Sequence, residues 1–379
     1  MNCLKCTDDM PDRAARSAPA HEDNSTLSLP IISLATYMEN PDSEDAKKEC
    51  KKAAEALVKY SALAVKDPRV SEEDNSRFLN LIEDYFNQPE EVKLEDVRAE
   101  YSYQVGPTPG NTEIPKCGND TGCLEMVAKM QEKDKPLDFN GKDPKWRFFW
   151  RIGERPETSK FKQLNAEPVC PKAFPQWSTE MNHWGSIMYQ AVHLLAEMLA
   201  VGMDLPKDTF TALMKNGPHL LAPTGSDLEI YGKVGTVLAG FHYDLNFLTI
   251  HGKSRFPGLN IWARSGEKLL AKIPDGCLLV QAAKQMEYLT GGYIVAGYHE
   301  VVVVEGTMKA IEKQKSLGRP LWRISSTLFS HIASDNILQP LAHFANREGA
   351  KEKYPPIYTG HQVQQELGLI NLFKEKTEE

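Results

Sequence analysis

In the stretch AGFHYDLNFLTIHG (239–252), His242 and Asp244 stand two residues apart in a run that otherwise reads as β-strand. Residues i and i+2 of a strand share a face, with Cα atoms about 6.5–7 Å apart, so both side chains can reach one metal ion. The pair alone is a weak signal, because His-x-Asp recurs by chance and a polar pair near a turn needs no metal. A third residue changes the weighting. In AGYHEVVVV (296–304), His299 sits within an apolar run where an unpaired imidazole would be costly to bury. Two histidines and one carboxylate form the set that leaves three positions open on non-haem iron. Zinc hydrolases draw on the same residue types, but spacing across separate strands, in place of His-x-x-x-His on one helix, favours iron.

A second group lies in LWRISSTLFSH (321–331). Strand periodicity puts Arg323, Ser325, Thr327 and Phe329 on one face and Trp322, Ile324 and Leu328 on the other. An arginine two residues from a serine on an inward face makes a bidentate site for a carboxylate, with the hydroxyl as a further donor. Read in isolation, Arg323 would be a residue at a barrel rim. Phe329 and His331 continue the same parity and are candidates for contact with substrate. His251 has the opposite parity from His242 and Asp244 if the strand is unbroken, which places it outside the metal set. His193 falls in a leucine-rich helix and reads as a packed or solvated residue.

These residues need elements to position them. LPIISLATYM (29–38) reads as a short strand, 42–65 and 71–89 as helices opened by Asp/Ser and Ser caps, and 177–206 as the longest helix, a spine for a sheet. Between them, 101–176 is rich in proline, glycine and aromatic residues with weak periodicity, the character of a functional loop region. From 236 to about 330, short strands alternate with turns such as PDG and TGG, the pattern of an antiparallel sandwich or barrel. Helices first and a jelly-roll-like core after them define an α+β class.

With the order HYD…H…RIS in place, the chain resembles the iron- and 2-oxoglutarate-dependent oxygenases of the isopenicillin N synthase type, which include plant flavonoid and hormone oxygenases. LPIISL (29–34), YFNQPEEVK (85–93), FPGLNIW (256–262) and IPDGCLLVQAAKQMEYLTGG (273–292) are similar to further stretches of that family, and the likeness runs from about residue 28 to 345. The resemblance implies a double-stranded β-helix core with N-terminal and flanking helices. It also implies Fe(II) held by His242, Asp244 and His299, with Arg323 and Ser325 on the distal carboxylate of 2-oxoglutarate. The implied reaction uses O2, releases succinate and CO2, and oxidises a C–H bond of a small metabolite by hydroxylation, desaturation or ring closure. Three departures stand out. HLLAPTGSDL (219–228) lacks the family's Asn-x-Tyr-Pro, Glu300 replaces an arginine after the distal histidine, and EGTMKAIEKQKSLGRP (305–320) looks like an added helical excursion before Arg323. Two alternatives stay open: an iron oxidase of the same fold that does not use 2-oxoglutarate, and a non-catalytic small-molecule binding member.

This organisation divides the chain into a tail (1–26), an N-terminal region with the spine helix (27–205), a catalytic core (206–345) and a C-terminal lid segment (346–379). The tail, with few large apolar residues, reads as disordered. The 379 residues carry a net charge of −8 with no basic block, which argues against nucleic acid or an anionic membrane as partner and for a small-molecule substrate. No apolar run reaches the roughly 18 residues of a membrane span, and the N-terminus lacks a signal-peptide core. The expectation is a cytoplasmic monomer or weak homodimer. The seven cysteines, odd in number and scattered, suit free thiols better than a disulfide framework, and Cys3/Cys6 has no second pair at zinc-finger spacing.

Overall fold

In the computed structural model the chain is described over residues 29–138 and 141–373. Strands β1 (Ile31–Ser33), β2 (Ala62–Lys66), β3 (Gly106–Thr108), β4 (Trp146–Ile152), β5 (His219–Leu221) and β6 (Thr224–Asp227) come first. Then follow β7 (Val237–Tyr243), β8 (Leu248–His251), β9 (Leu259–Trp262), β10 (Lys268–Leu270), β11 (Cys277–Ala282), β12 (Tyr298–Val302), β13 (Trp322–Ser325) and β14 (Thr327–Ser330). A short ribbon of β15 (Ile337–Leu338) and β16 (Ile357–Tyr358) ends the series.

The larger sheet runs β1-β2-β11-β8-β14-β5-β4-β6-β13, with β3 on β4, and the smaller runs β10-β9-β12-β7. Every pairing is antiparallel except β1 with β2. The class is therefore mixed α+β. The larger sheet draws strands from both sides of residue 206, so N-terminal and core segments share one layer.

Behind the larger sheet lies the helix Trp177–Gly202, as expected of the apolar run. It buries Trp177, Met181, Trp184 and Met188, three or four residues apart, the period of one helix face. Gly202 lets it cross the helix Glu44–Tyr60 closely, since a Cβ there would meet the Cys50 carbonyl oxygen at 2.1 Å. Nearer the site, the Trp184 indole donates to Ser326 Oγ at 2.7 Å. That bond fixes the break where LWRISSTLFSH divides into β13 and β14.

Several elements depart from the sequence expectation, each for an identifiable reason. The helix begun at Glu44 stops at Tyr60, because Ser61 takes a left-handed conformation (φ 54°), and 62–66 becomes β2 inside the sheet. In LPIISLATYM only Ile31–Ser33 is strand; the Ser33 side chain caps a helix Leu34–Glu39 by accepting from Thr36 N. The stretch 101–176 holds β3, β4 and a helix Thr121–Lys129. Every residue of β4 is buried, so its sequence WRFFWRI shows no in/out alternation to read. In YIVAGYHEVVVV only Tyr298–Val302 is strand, and KQMEYL forms a helix Lys284–Leu289. The excursion before Arg323 is a helix, Glu305–Ser316.

The cysteine expectation also needs correction. Cys117 and Cys123 form a disulfide, with Cα atoms 5.3 Å apart, because a tight turn followed by the Asp120-capped helix brings both to one side. Cys50, Cys170 and Cys277 are free thiols. The N-terminal tail and Cys3/Cys6 lie outside the described residues. No helix among the described residues is long and apolar enough to cross a membrane.

Candidate active site

Strands β7 and β12 pair with His242 directly opposite His299, and Asp244 follows one residue after β7 ends. Cross-strand register therefore brings the three side chains together. The imidazole rings lie 4.2 Å apart, His242 Nε2 is 3.7 Å from Asp244 Oδ1, and His299 Nε2 is 3.9 Å from Asp244 Oδ2. These separations exceed a hydrogen bond but match what two donors at about 2.1 Å from a shared ion can span. Among the described residues this is the group of three metal-ligating side chains with all donor atoms within 4.8 Å of one another.

The hydrogen bonds orient the donors. His242 Nδ1 donates to the Gly240 carbonyl at 2.6 Å, which leaves Nε2 with its lone pair toward Asp244. Burial, and then the neighbouring His299, push the His242 imidazolium down to about 3, so the ring is neutral at physiological pH, the form a metal requires. Thr249, on β8 of the other sheet, donates to Asp244 Oδ2 at 2.7 Å and holds the carboxylate from behind. The donor set thus fits a divalent ion that accepts two imidazoles and one carboxylate and keeps further positions open.

The metal-facing residues line a cavity between the two sheets. Ser325, Thr327, Phe329 and His331 all reach it, so the inward parity continues through the break at Ser326. Arg323 itself is buried, with Nη1 donating to Ser325 Oγ at 2.9 Å and Nε to the Pro257 carbonyl at 3.4 Å. No carboxylate pairs with it among the described residues. Burial pushes its guanidinium down to about 10, still cationic at neutral pH. A buried cation without an acid partner is an unmet demand for an anion.

His251 is outside the donor group, as its parity implied, yet it lines the same cavity. The chain turns between β7 and β8 and crosses to the larger sheet, so parity no longer relates the two strands. Its ring stands 6.1 Å from that of His299, and Nδ1 is 3.0 Å from Thr327 Oγ1. Phe329 meets Phe149 edge to face at 6.1 Å. The amide N–H of His331 donates to His219 Nδ1 at 3.1 Å, its own Nδ1 donates to the Phe329 carbonyl, and burial pushes its imidazolium down to about 4. His193 lies on the spine helix away from the cavity, 4.0 Å from Glu197.

Six charged cavity residues escaped the sequence reading: Glu113, Lys116, Asp143, Lys145, Arg147 and Glu366. Glu113 Oε1 contacts Arg147 Nη2 at 2.6 Å and Glu113 Oε2 contacts Lys145 Nζ at 3.1 Å; Lys145 also pairs with Asp143, whose Oδ1 accepts from Gly240 N at 2.9 Å. Burial alone would raise the Glu113 carboxyl, but Arg147 and Lys145 outweigh it and hold it below the usual carboxylate range. Nearer the opening, Lys116 pairs with Glu366 of the C-terminal helix Thr359–Leu369, and its ammonium sits 3.6 Å above the Tyr243 ring. The segments 101–145 and 359–370 therefore meet over the cavity. WRFFWRI carries no alternation that would have revealed β4's contribution; once the strand is in place, period 2 puts Arg147 and Phe149 on one face.

No family model matches the sequence, and no curated protein matches it. Solved structures do. A Caulobacter crescentus protein assigned to the 2OG-Fe(II) oxygenase family superposes with TM-score 0.68 at 19% identity, covering 90% of this chain and 98% of its own. Neurospora crassa T7H, solved with alpha-KG and thymine, gives 0.68 at 17% identity over 92% and 98% of the two chains. JOX2, solved with 2OG, Fe and JA, gives 0.61 at 16% identity over 88% and 83%. The chain has the fold of these oxygenases. At such identities the likeness is one of architecture, and the chemistry must be argued from the site itself.

Proposed function

We propose that the protein is an Fe(II)- and 2-oxoglutarate-dependent oxygenase of the isopenicillin N synthase-like family, oxidising an unactivated C–H bond of a small metabolite with formation of succinate and CO2. The observation that carries this reading is the combination of a two-histidine, one-carboxylate donor set on the cavity wall and, hydrogen-bonded to the cavity-lining Ser325, a buried arginine with no acid partner among the described residues. The donor set calls for a metal with open positions, and Arg323 calls for an anion within reach of it. Neighbours of the same fold that hold 2-oxoglutarate support the pairing. The sheet order, with β7, β9, β10 and β12 facing β5, β8, β11 and β14, supports reading the core as a double-stranded β-helix.

When bound, Fe(II) supplies open coordination positions and the redox chemistry that couples keto-acid decarboxylation to C–H oxidation. His242, Asp244 and His299 hold the ion, and Thr249 and the Gly240 carbonyl fix two of those ligands in orientation. Arg323 and Ser325 bind the far carboxylate of 2-oxoglutarate; the serine hydroxyl already engages the guanidinium and pre-orients it. Phe329 and His331 form part of the substrate wall. The two covering segments, joined by Lys116 and Glu366, exclude water during turnover.

The test is direct. Protein purified without oxygen should bind one Fe(II) per chain and, on admission of air, convert 2-oxoglutarate slowly to succinate even without substrate. A chain that binds no iron would sink the reading, and one that binds iron but never consumes 2-oxoglutarate would transfer it to the oxidase alternative.

A further inference from the structure

The charged group Glu113, Asp143, Lys145 and Arg147 lies outside the residues assigned above to the metal and to 2-oxoglutarate, yet all four line the cavity. Buried ion networks of this kind contribute little net stability and are a candidate sign of recognition. Within it the hydrogen-bonding capacity is unevenly used. Lys145 is shared between Asp143 and Glu113, and Asp143 also takes the Gly240 amide. Arg147 is different: it is 7% exposed, its Nη2 lies 2.6 Å from Glu113 Oε1, and its Nε has no hydrogen-bond partner among the described residues.

The guanidinium is also held rigid. Its Cζ lies 4.0 Å from the centre of the Phe149 ring, a cation–π contact that, with Glu113, restrains the side chain. Register places it clear of the Arg323 site: Arg147 is opposite Thr224 on β6, which is opposite Ser325 on β13. The two arginines therefore stand on the same sheet, separated by a strand. Arg147 lines the same cavity as His242, Asp244 and His299. Alongside are the Phe149 and Phe329 rings, an apolar wall for the body of a ligand.

Resting on the oxygenase reading, we propose that Arg147 anchors the substrate and that the substrate is an apolar or aromatic carboxylic acid, its acid group on Arg147 and its carbon skeleton against the wall formed by Phe149 and Phe329. The competing role for Arg147 is purely structural, as counter-charge to Glu113. A third role, as an additional clamp on 2-oxoglutarate in place of the missing Asn-x-Tyr, is separable by experiment.

The experiment loads the full chain with redox-inert Zn(II) and saturating 2-oxoglutarate, which fills the Arg323 site, and titrates in ω-phenylalkanoates from phenylacetate to 5-phenylpentanoate by calorimetry. The matched primary amides serve as controls. Wild-type protein should bind at least one acid about tenfold or more tighter than its amide, and Arg147→Gln should abolish that preference. Because Arg147→Gln leaves part of the Glu113 charge unmatched, the double variant Glu113→Gln/Arg147→Gln repeats the measurement with charge balance restored, and Arg147→Lys should keep a reduced preference. Equal binding of acids and amides by wild type, binding of neither, or an acid preference that survives in the double variant would overturn the proposal. So would a collapse of 2-oxoglutarate affinity in Arg147→Gln with the acid preference intact. Binding of acids by a protein that never takes up 2-oxoglutarate would instead refute the oxygenase reading and leave the Arg147 site standing.

Discussion

The two walls of the cavity are built on different principles. On the smaller sheet the metal donors come from two adjacent strands whose backbone register sets His242 against His299, so the site is nearly complete once β7 pairs with β12. On the larger sheet the working residues, Arg323, Ser325, Phe329, Thr249 and Arg147, are spread over β13, β14, β8 and β4. They converge only when the spine helix and the covering segments have packed. The first wall is a candidate chelate set by the ladder; the second is a surface assembled from long-range contacts. A ligand on the first wall should therefore be all-or-none in effect, and residues on the second should be graded.

The largest expected effect is Asp244→Ala, which removes one of three donors and should weaken Fe(II) binding by more than about a hundredfold in equilibrium dialysis. Retained affinity would break the comparison at its root. On the opposite wall, Arg323→Leu should raise the apparent KM for 2-oxoglutarate by on the order of ten- to a hundredfold, the equivalent of about 1.5–3 kcal/mol for a lost charged hydrogen-bonding pair. Fe(II) affinity measured on the same variant should change far less, and an equal loss of both would mean that the walls are not separable. Between the walls, Thr249→Val deletes the hydroxyl that steadies Asp244 and should reduce metal affinity by about tenfold, checked by competition with a chelator.

The smallest effect sharpens the comparison through pH. His219 and His331 are buried beside one another on the larger-sheet side, and burial depresses both imidazoliums, that of His331 to about 4 and that of His219 well below its ordinary value. The unfolded chain binds protons first as pH falls, so stability of the metal-free protein should decline from about pH 6.5 toward pH 4, by up to about 1.4 kcal/mol per pH unit for each such group. Thermal unfolding across that range would show it. His331→Gln should flatten the slope, and an unchanged slope would exclude His331 as a contributor.

His251 shows how far parity alone can be carried. Counting in twos from His242 kept it out of the donor set, but the count presumes one unbroken strand, whereas the chain turns after Tyr243 and resumes in the other sheet. Its place on the cavity wall follows from the turn and not from the spacing. For LWRISSTLFSH the count carried through a break, because Trp184 bonds Ser326 and the chain resumes in phase.

By itself the sequence determined the elements whose signals are local. The His242/Asp244 pair, the Arg323–Ser325 pair and the spine helix rest on periodicity within a few residues, whereas His299 meets the first pair only through the register of β7 with β12. Tertiary structure alone decided β4, the Cys117–Cys123 bond, the Lys116–Glu366 contact and the Arg147 site. A strand covered on both faces loses the alternation that would reveal it, and a segment with no periodic pattern carries no mark of what it will cover. Those residues acquire their neighbours from the path of the whole chain, through contacts between segments that no short window of sequence contains.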